Sequence, residues 1–236
     1  MKLSLQLQDP QDARAWEFSY LNQFDRAHWV TRCSNSMDTL GGRTCKMRQC
    51  PACSLRASRD LAHRIQTVAR RMEHRLSLII SLRSTGLWDL RETLRSLRSF
   101  VTVVHRWKGL AGLTAVGAIE PKLTAAKRAW VPHAHVVVDA KALVVGPLAD
   151  RYHDLTNGLG TLMLAAPRPD LFESIPMIAT YFSKPESWCP FPGSMHPQMF
   201  GIFADAVKGV QRLVEWNGGR RGRRKRRHSE VEAHAA

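Results

Sequence analysis

Four cysteines crowded into 21 residues, Cys33, Cys45, Cys50 and Cys53, constrain this chain more than any other feature. Cys50-Pro51-Ala52-Cys53 is a tight CxxC, with Cys45 five positions upstream of Cys50 and Cys33 twelve further back. Two thiolates at this spacing can wrap one metal ion, and two more complete a tetrahedral zinc site. A loop-rich segment of this kind folds around its metal, which contributes about 10 kcal/mol or more in apparent free energy. His28 is an alternative to Cys33 as the fourth ligand. A thioredoxin-like redox pair is the competing reading of CxxC, and the two additional cysteines count against it. The plainest alternative is a set of reduced, buried thiols. Cys189 stands apart and reads as an ordinary thiol.

Charge adds a second constraint. Thirty-five Lys and Arg against 20 Asp and Glu give the 236 residues a net charge of +15. Residues 220–236 hold seven basic and two acidic side chains, so +10 remains on residues 1–219. The expected partner is a polyanion, and nucleic acid is the usual one. At 44% hydrophobic residues the chain can bury a core. The apolar stretch Gly109 to Ile119 is too short to span a bilayer, and Met1 to Pro10 has no signal-peptide core. These features predict a cytoplasmic protein without a membrane partner.

The periodicity divides the chain into three parts. Residues 1–75 form an aromatic-rich lead-in (Trp16, Phe18, Tyr20, Phe24), the cysteine module and a helix from about Ser54 to Arg75. Leu55, Leu61, Ile65, Val68, Met72 and Leu76 would be its packed face. Arg56, Arg59, Arg64, Arg70, Arg71 and Arg75 would form a basic stripe suited to phosphate, or else a solvated surface. Residues 76–217 then predict a strand (Leu76–Leu82), a helix (Leu87–Trp107), two strands (Leu113–Glu120, Val131–Asp139), a helix (Leu148–Leu155) and a strand (Gly160–Ala165). This α+β order, βαββαβ, is the ferredoxin-like arrangement with an antiparallel sheet. C-terminal helices follow at Ser174–Ser183, with Ser174 as N-cap, and at Gln198–Trp216, with Phe200, Phe203, Val207, Val210 and Val214 as its stripe. Residues 218–236 predict a disordered basic tail, in which Arg220, Arg221, Arg223 and Arg224 would add sequence-independent DNA affinity.

The segment Pro132-His133-Ala134-His135-Val136-Val137-Val138 carries the clearest chemistry. On a strand His133 and His135 share a face, their Cα atoms about 7 Å apart. If Glu120 lies across a hairpin from Val131, it falls on that same face. Two imidazoles and a carboxylate leave open coordination positions, as a catalytic divalent metal requires. Both histidines could equally be strand residues with buried polar partners. Tyr181 and Lys184 are three apart on the next helix and would face the same side. The ammonium would favour a phenolate nucleophile or steady a phosphate, and a packed tyrosine with a solvated lysine is the plainer reading.

The order of these motifs, a CxxxxCPxC module, a βαββαβ core with Pro-His-Ala-His-Val-Val-Val on a strand, and Tyr-x-x-Lys on a later helix, resembles the plasmid rolling-circle replication initiators of the HUH endonuclease superfamily. The resemblance runs from about Cys45 to Lys184. It implies that Tyr181 attacks a phosphodiester of one DNA strand at an origin, single-stranded or cruciform, forming a 5′-phosphotyrosine and freeing a 3′-OH for replication. It further implies that His133, His135 and Glu120 hold Mg²⁺ or Mn²⁺, that Lys184 offsets charge, and that a host helicase and polymerase are recruited. In one respect the chain departs from the pattern. Met177 stands four residues before the tyrosine, where a glutamate is often found, and the nearest upstream acid is Glu173. An HUH-type transposase is the alternative within this enzyme class. A zinc-dependent DNA-binding regulator is the alternative outside it, and leaves His133, His135 and Tyr181 without a role.

Overall fold

The computed structural model describes residues 49–83, 89–124, 129–165, 174–189 and 197–216, together with residues 14, 15, 18, 26, 27, 30, 33, 45 and 47. Its elements begin with α1 (Pro51–Ala69), β1 (Leu76–Leu82), α2 (Leu90–Val104) and β2 (Ala115–Glu120). A small hairpin, β3 (Leu123–Thr124) and β4 (Ala129–Trp130), leads to β5 (His133–Val138), α3 (Gly146–Leu155) and β6 (Gly160–Leu164). The chain then forms α4 (Ile175–Phe182), a 3-10 turn (Pro185–Ser187), α5 (Pro197–Ala206) and β7 (Leu213–Trp216). The fold is α+β: five strands make one antiparallel sheet in the order β6-β1-β5-β2-β7.

Strand alternation divides the apolar residues between two faces. Leu78, Ile80, Ala134, Val136 and Ile119 point to one face, where they pack with Leu94 and Leu97 of α2, Leu148 and Tyr152 of α3, and Phe203 of α5. Val116, Ala118 and Val137 point to the other, against Leu61, Ile65 and Val68 of α1 and Ile178, Ala179 and Phe182 of α4. Every residue of β5 is buried, because neighbouring strands flank it on both sides and both of its faces are covered. That explains its unbroken apolar run, which only the two histidines interrupt. A third, smaller cluster joins Phe18, Val30, Cys33 and Cys50 to Phe200 and Ala204 of α5.

The expected helix over Gln198–Trp216 is two elements. Gly209, at φ +76°, turns the chain after α5, and Leu213–Trp216 then pairs with Ala115–Ala118 of β2 as an edge strand. Phe200, Phe203, Val207, Val210 and Val214 are all buried as the stripe requires, but Val214 reaches the core by strand alternation. Helix α1 begins at Pro51 and stops at Ala69, so Arg70, Arg71 and Arg75 lie beyond its end. Leu55 is exposed rather than packed. Ser174 occupies the N-cap of α4 but makes no side-chain cap hydrogen bond. The hairpin β3–β4 falls in a stretch that carries no strand signal.

Close approach of β2 and β5 depends on Gly117. A Cβ there would lie 1.9 Å from the backbone oxygen of His135. Gly117→Ala is therefore expected to cost about 3 kcal/mol, the upper range for overpacking, seen as a lowered urea midpoint. An unchanged midpoint would mean that the two strands are not packed this tightly.

Candidate metal sites and the neighbouring tyrosine

Helix α1 starts directly from the cysteine cluster. Cys50 is its N-cap, Pro51 its first residue and Cys53 sits in its first turn, so the positive end of the helix faces the sulfurs. The Cys50 N–H donates to the carbonyl of Met47 across 3.2 Å, folding the turn that presents both thiols. The Sγ atoms of Cys33, Cys45, Cys50 and Cys53 all lie within 4.8 Å of one another, and Cys33 and Cys45 are 3.4 and 3.5 Å from Cys53. Four sulfurs at Zn–S distances of about 2.3 Å would stand about 3.8 Å apart, so the cluster fits one tetrahedral ion. Crowding of the thiols disfavours the thiolate at Cys45 and at Cys53. Contacts with Cys50 and Cys53, followed by burial, push the Cys45 thiol up. At Cys53 the contact with Cys45 works downward, but Cys50 and burial outweigh it and push that thiol up to about 12. Cys33 thus completes the cluster; His28 lies outside the described residues.

The second cluster sits on the sheet face covered by α1 and α4. Glu120 pairs with His133 across β2 and β5, and Ala118 with His135, which brings the three side chains together. Their ligand atoms lie within 4.8 Å of one another. The expected placement of Glu120 opposite Val131 shifts by two residues, and it faces His133 directly. Glu120 Oε2 is 3.3 Å from His133 Nε2 and 3.7 Å from His135 Nε2. His133 Nδ1 is 3.2 Å from the Val131 carbonyl, which can only accept, so Nδ1 carries a proton and Nε2 faces the carboxylate. Facing acceptors need a proton or a cation between them. Ser187 Oγ donates to Glu120 Oε1, leaving Oε2 to the histidines. The donor set thus fits a divalent cation with open positions.

The protonation states support the same fit. Burial raises the Glu120 carboxyl, but His133 and Ser187 at its oxygens, then the charges of both histidines, hold it down to about 2. Burial, followed by the nearby charges of His133, Lys184 and Lys122, lowers His135 from 6.5 to about 3, with Glu120 opposing. His135 is therefore neutral and Glu120 ionised at neutral pH, as metal ligation requires. For both groups the unfolded state binds more protons over the shifted range, so stability falls as pH falls. The window runs from 6.5 to about 3 for His135. For Glu120 it runs from 4.5 to about 2. Chelator-treated protein should show a urea midpoint that declines from pH 6.5 to 4, with His135→Asn flattening the upper part of the decline. Parallel slopes for the two proteins would refute this assignment.

Tyr181 comes to the same place from α4. Its ring meets His135 edge-on, centroids 5.3 Å apart, and Phe182, next to it in the chain, stacks on the His135 ring at 5.2 Å. Lys184 lies one residue past the helix cap, with Nζ 3.7 Å from the Tyr181 ring centroid, so the two do share a side. The ammonium stands over the ring face as a cation–π contact. Arg212 fixes the end of this helix. Its Nη2 donates to the carbonyls of Ser183 and Lys184 at 3.1 and 3.2 Å, and its Nη1 to Ser58 Oγ at 3.1 Å. The guanidinium also lies over the Trp188 ring at 5.3 Å. Sequence reasoning missed both Arg212 and Ser187, since neither belongs to a motif. Tyr152, by contrast, is buried, its hydroxyl donating to the Ser81 carbonyl at 3.2 Å.

Of the arginines, Arg56, Arg59, Arg64, Arg70 and Arg71 are all exposed. Arg64 is engaged: its guanidinium holds Glu215 of β7 at 2.9 and 2.7 Å, which makes it a tether between α1 and the sheet edge. Arg220, Arg221, Arg223, Arg224 and Glu173 lie outside the described residues. Among the described residues no helix is long and apolar enough to cross a membrane. Comparison with family models, curated proteins and solved structures finds no match to this chain.

Proposed function

We propose that this protein is a replication initiator of the HUH endonuclease type, which nicks one DNA strand at an origin for rolling-circle replication. One juxtaposition carries the reading: a half-buried tyrosine packs on His135, within the only histidine–carboxylate cluster among the described residues, in a strongly basic chain. The strand-helix-strand-strand-helix-strand order, with four strands arranged β6-β1-β5-β2, supports a ferredoxin-like core of that superfamily. Four clustered cysteines support a structural zinc beside it.

In this reading Tyr181 Oη attacks the phosphorus, the bond from phosphorus to the 3′-oxygen breaks, and the tyrosine proton is lost as the 3′-oxygen gains one. The 5′-phosphotyrosine keeps the bond energy for rejoining. His133, His135 and Glu120 would hold Mg²⁺ or Mn²⁺, whose chemistry is to polarise the phosphate and neutralise charge. Lys184, close to the tyrosine, can offset charge on the same phosphate. In register with Glu120 and His133 come Ser81 of β1 and Thr161 of β6, and the exposure of Thr161 and Met163 supports approach of a DNA strand from the β6 edge. Arg56, Arg59, Arg70 and Arg71 would meet the phosphate backbone.

Met177, four residues before Tyr181, is 44% exposed and offers no carboxylate. Ending a replication round would therefore rest on another acid or a second protomer, which keeps a transposase-like outcome open to the same active site. The test is a denaturing gel of labelled single-stranded DNA incubated with the protein and Mn²⁺. A covalent adduct that disappears with chelator is the expected result. No adduct from a pool containing the origin, together with tight zinc-dependent duplex binding, would favour the regulator.

A further inference from the structure

Residues 184–189 connect three parts of the molecule at once. Toward the cysteine module, the Pro185 carbonyl accepts from Ser54 Oγ at 3.3 Å and Cys189 Sγ donates to the Gln49 carbonyl at 3.1 Å. Toward the sheet, Trp188 Nε1 donates to the Ile119 carbonyl at 3.1 Å. Between these anchors Ser187 Oγ donates to Glu120 Oε1. At the other end of the segment, Lys184 stands over Tyr181. The hydroxyl that holds the metal-site carboxylate is therefore only six residues from the nucleophile, on a segment pinned at both ends.

We infer that Ser187 is the positioning residue of Glu120: its hydrogen bond to Oε1 fixes the carboxylate so that Oε2 presents one lone pair to the cation beside both histidines. An ionised carboxylate attached through three rotatable bonds would otherwise sample orientations that do not converge with the Nε2 atoms. Partners of this kind, one step removed from the ligands, are worth about 10- to 100-fold in metal affinity. Because the 3-10 turn that carries Ser187 follows directly on the end of the tyrosine helix, it also ties the cation to the nucleophile: a shift of the 184–189 segment would disturb both together. The inference rests on the metal site of the proposed function and adds to it a residue that touches neither the metal nor DNA.

The test is Mn²⁺ titration followed by electron paramagnetic resonance, on full-length protein with its zinc content verified. Ser187→Thr keeps the hydroxyl and Ser187→Val replaces it with a methyl in nearly the same shape, so misfolding would affect both alike. Ser187→Thr should bind Mn²⁺ within a few-fold of the unsubstituted protein, while Ser187→Val should bind about 10- to 100-fold more weakly. Equal affinities for the two variants would overturn the inference. If the unsubstituted protein bound no Mn²⁺, the metal site and the role of Ser187 would fall together. If Mn²⁺ bound with the expected difference but no DNA adduct formed, the nicking reaction would fall and Ser187 would stand.

Discussion

Tyr181→Phe is expected to abolish the covalent DNA adduct, a loss of at least about a thousand-fold, while leaving folding and Mn²⁺ affinity unchanged. Phenylalanine keeps the ring that meets His135 edge-on and lies beneath Lys184, so packing on this face of the sheet persists. Only the hydroxyl is lost, and with it the atom that would bond to phosphorus. The chain has three tyrosines. Tyr152 cannot substitute, because burial raises its phenol and its hydroxyl is committed to the Ser81 carbonyl. An adduct that survived the change would therefore move the nucleophile to Tyr20. Failure of Tyr181→Phe to bind Mn²⁺ would instead mean that the tyrosine belongs to the cation site itself.

With zinc held by the four cysteines, as proposed, Cys50→Ser is expected to release it and melt the N-terminal module. Cys50 is fully buried, begins α1 and belongs to the cluster of Phe18, Val30, Phe200 and Ala204. Its loss removes one of four ligands, and the metal contributes about 10 kcal/mol or more to such a module. Limited proteolysis should then cut the chain before α1, and DNA affinity should drop as the arginines of that helix lose their support. Reaction chemistry in a preformed DNA complex should survive. Retained zinc, resistance to protease and unchanged affinity would together remove the structural role. The module is not isolated from the tyrosine, however: Gln49 and Ser54 both hold the 184–189 segment. A moderate weakening of Mn²⁺ binding should accompany the melting.

Much of this arrangement was legible in the sequence. The Cys spacing and the His-Ala-His alternation are local patterns, and local geometry decides them: a turn into a helix gathers the thiols, and strand pleating aligns the imidazoles. Leu76–Leu82 is a strand over the residues that its apolar run indicates, because β1 lies inside the sheet. What escaped depends on contacts distant in sequence. The segment Leu213–Trp216 has spacings that suit a helix as well as a strand, and only pairing with β2 decides between them. Glu120 could be placed on the right face but two residues out of register, since β3 and β4 extend the connection between β2 and β5. Arg64 reads as part of a DNA-binding stripe until β7 brings Glu215 beside it. Ser187 and Arg212 belong to no recurring pattern at all.

Arg212 sets a lower limit on how much chain this chemistry needs. It stands just before the edge strand, long after the last motif, and reaches both Ser58 of α1 and the carbonyls that end the tyrosine helix. A piece of the protein running from Cys33 to Cys189 would contain every residue that a motif search recognises, yet it would lack the guanidinium that holds the end of α4 in place. The boundary of the working unit is drawn by that grip and not by the motifs, so the smallest portable version of this protein must extend through Trp216.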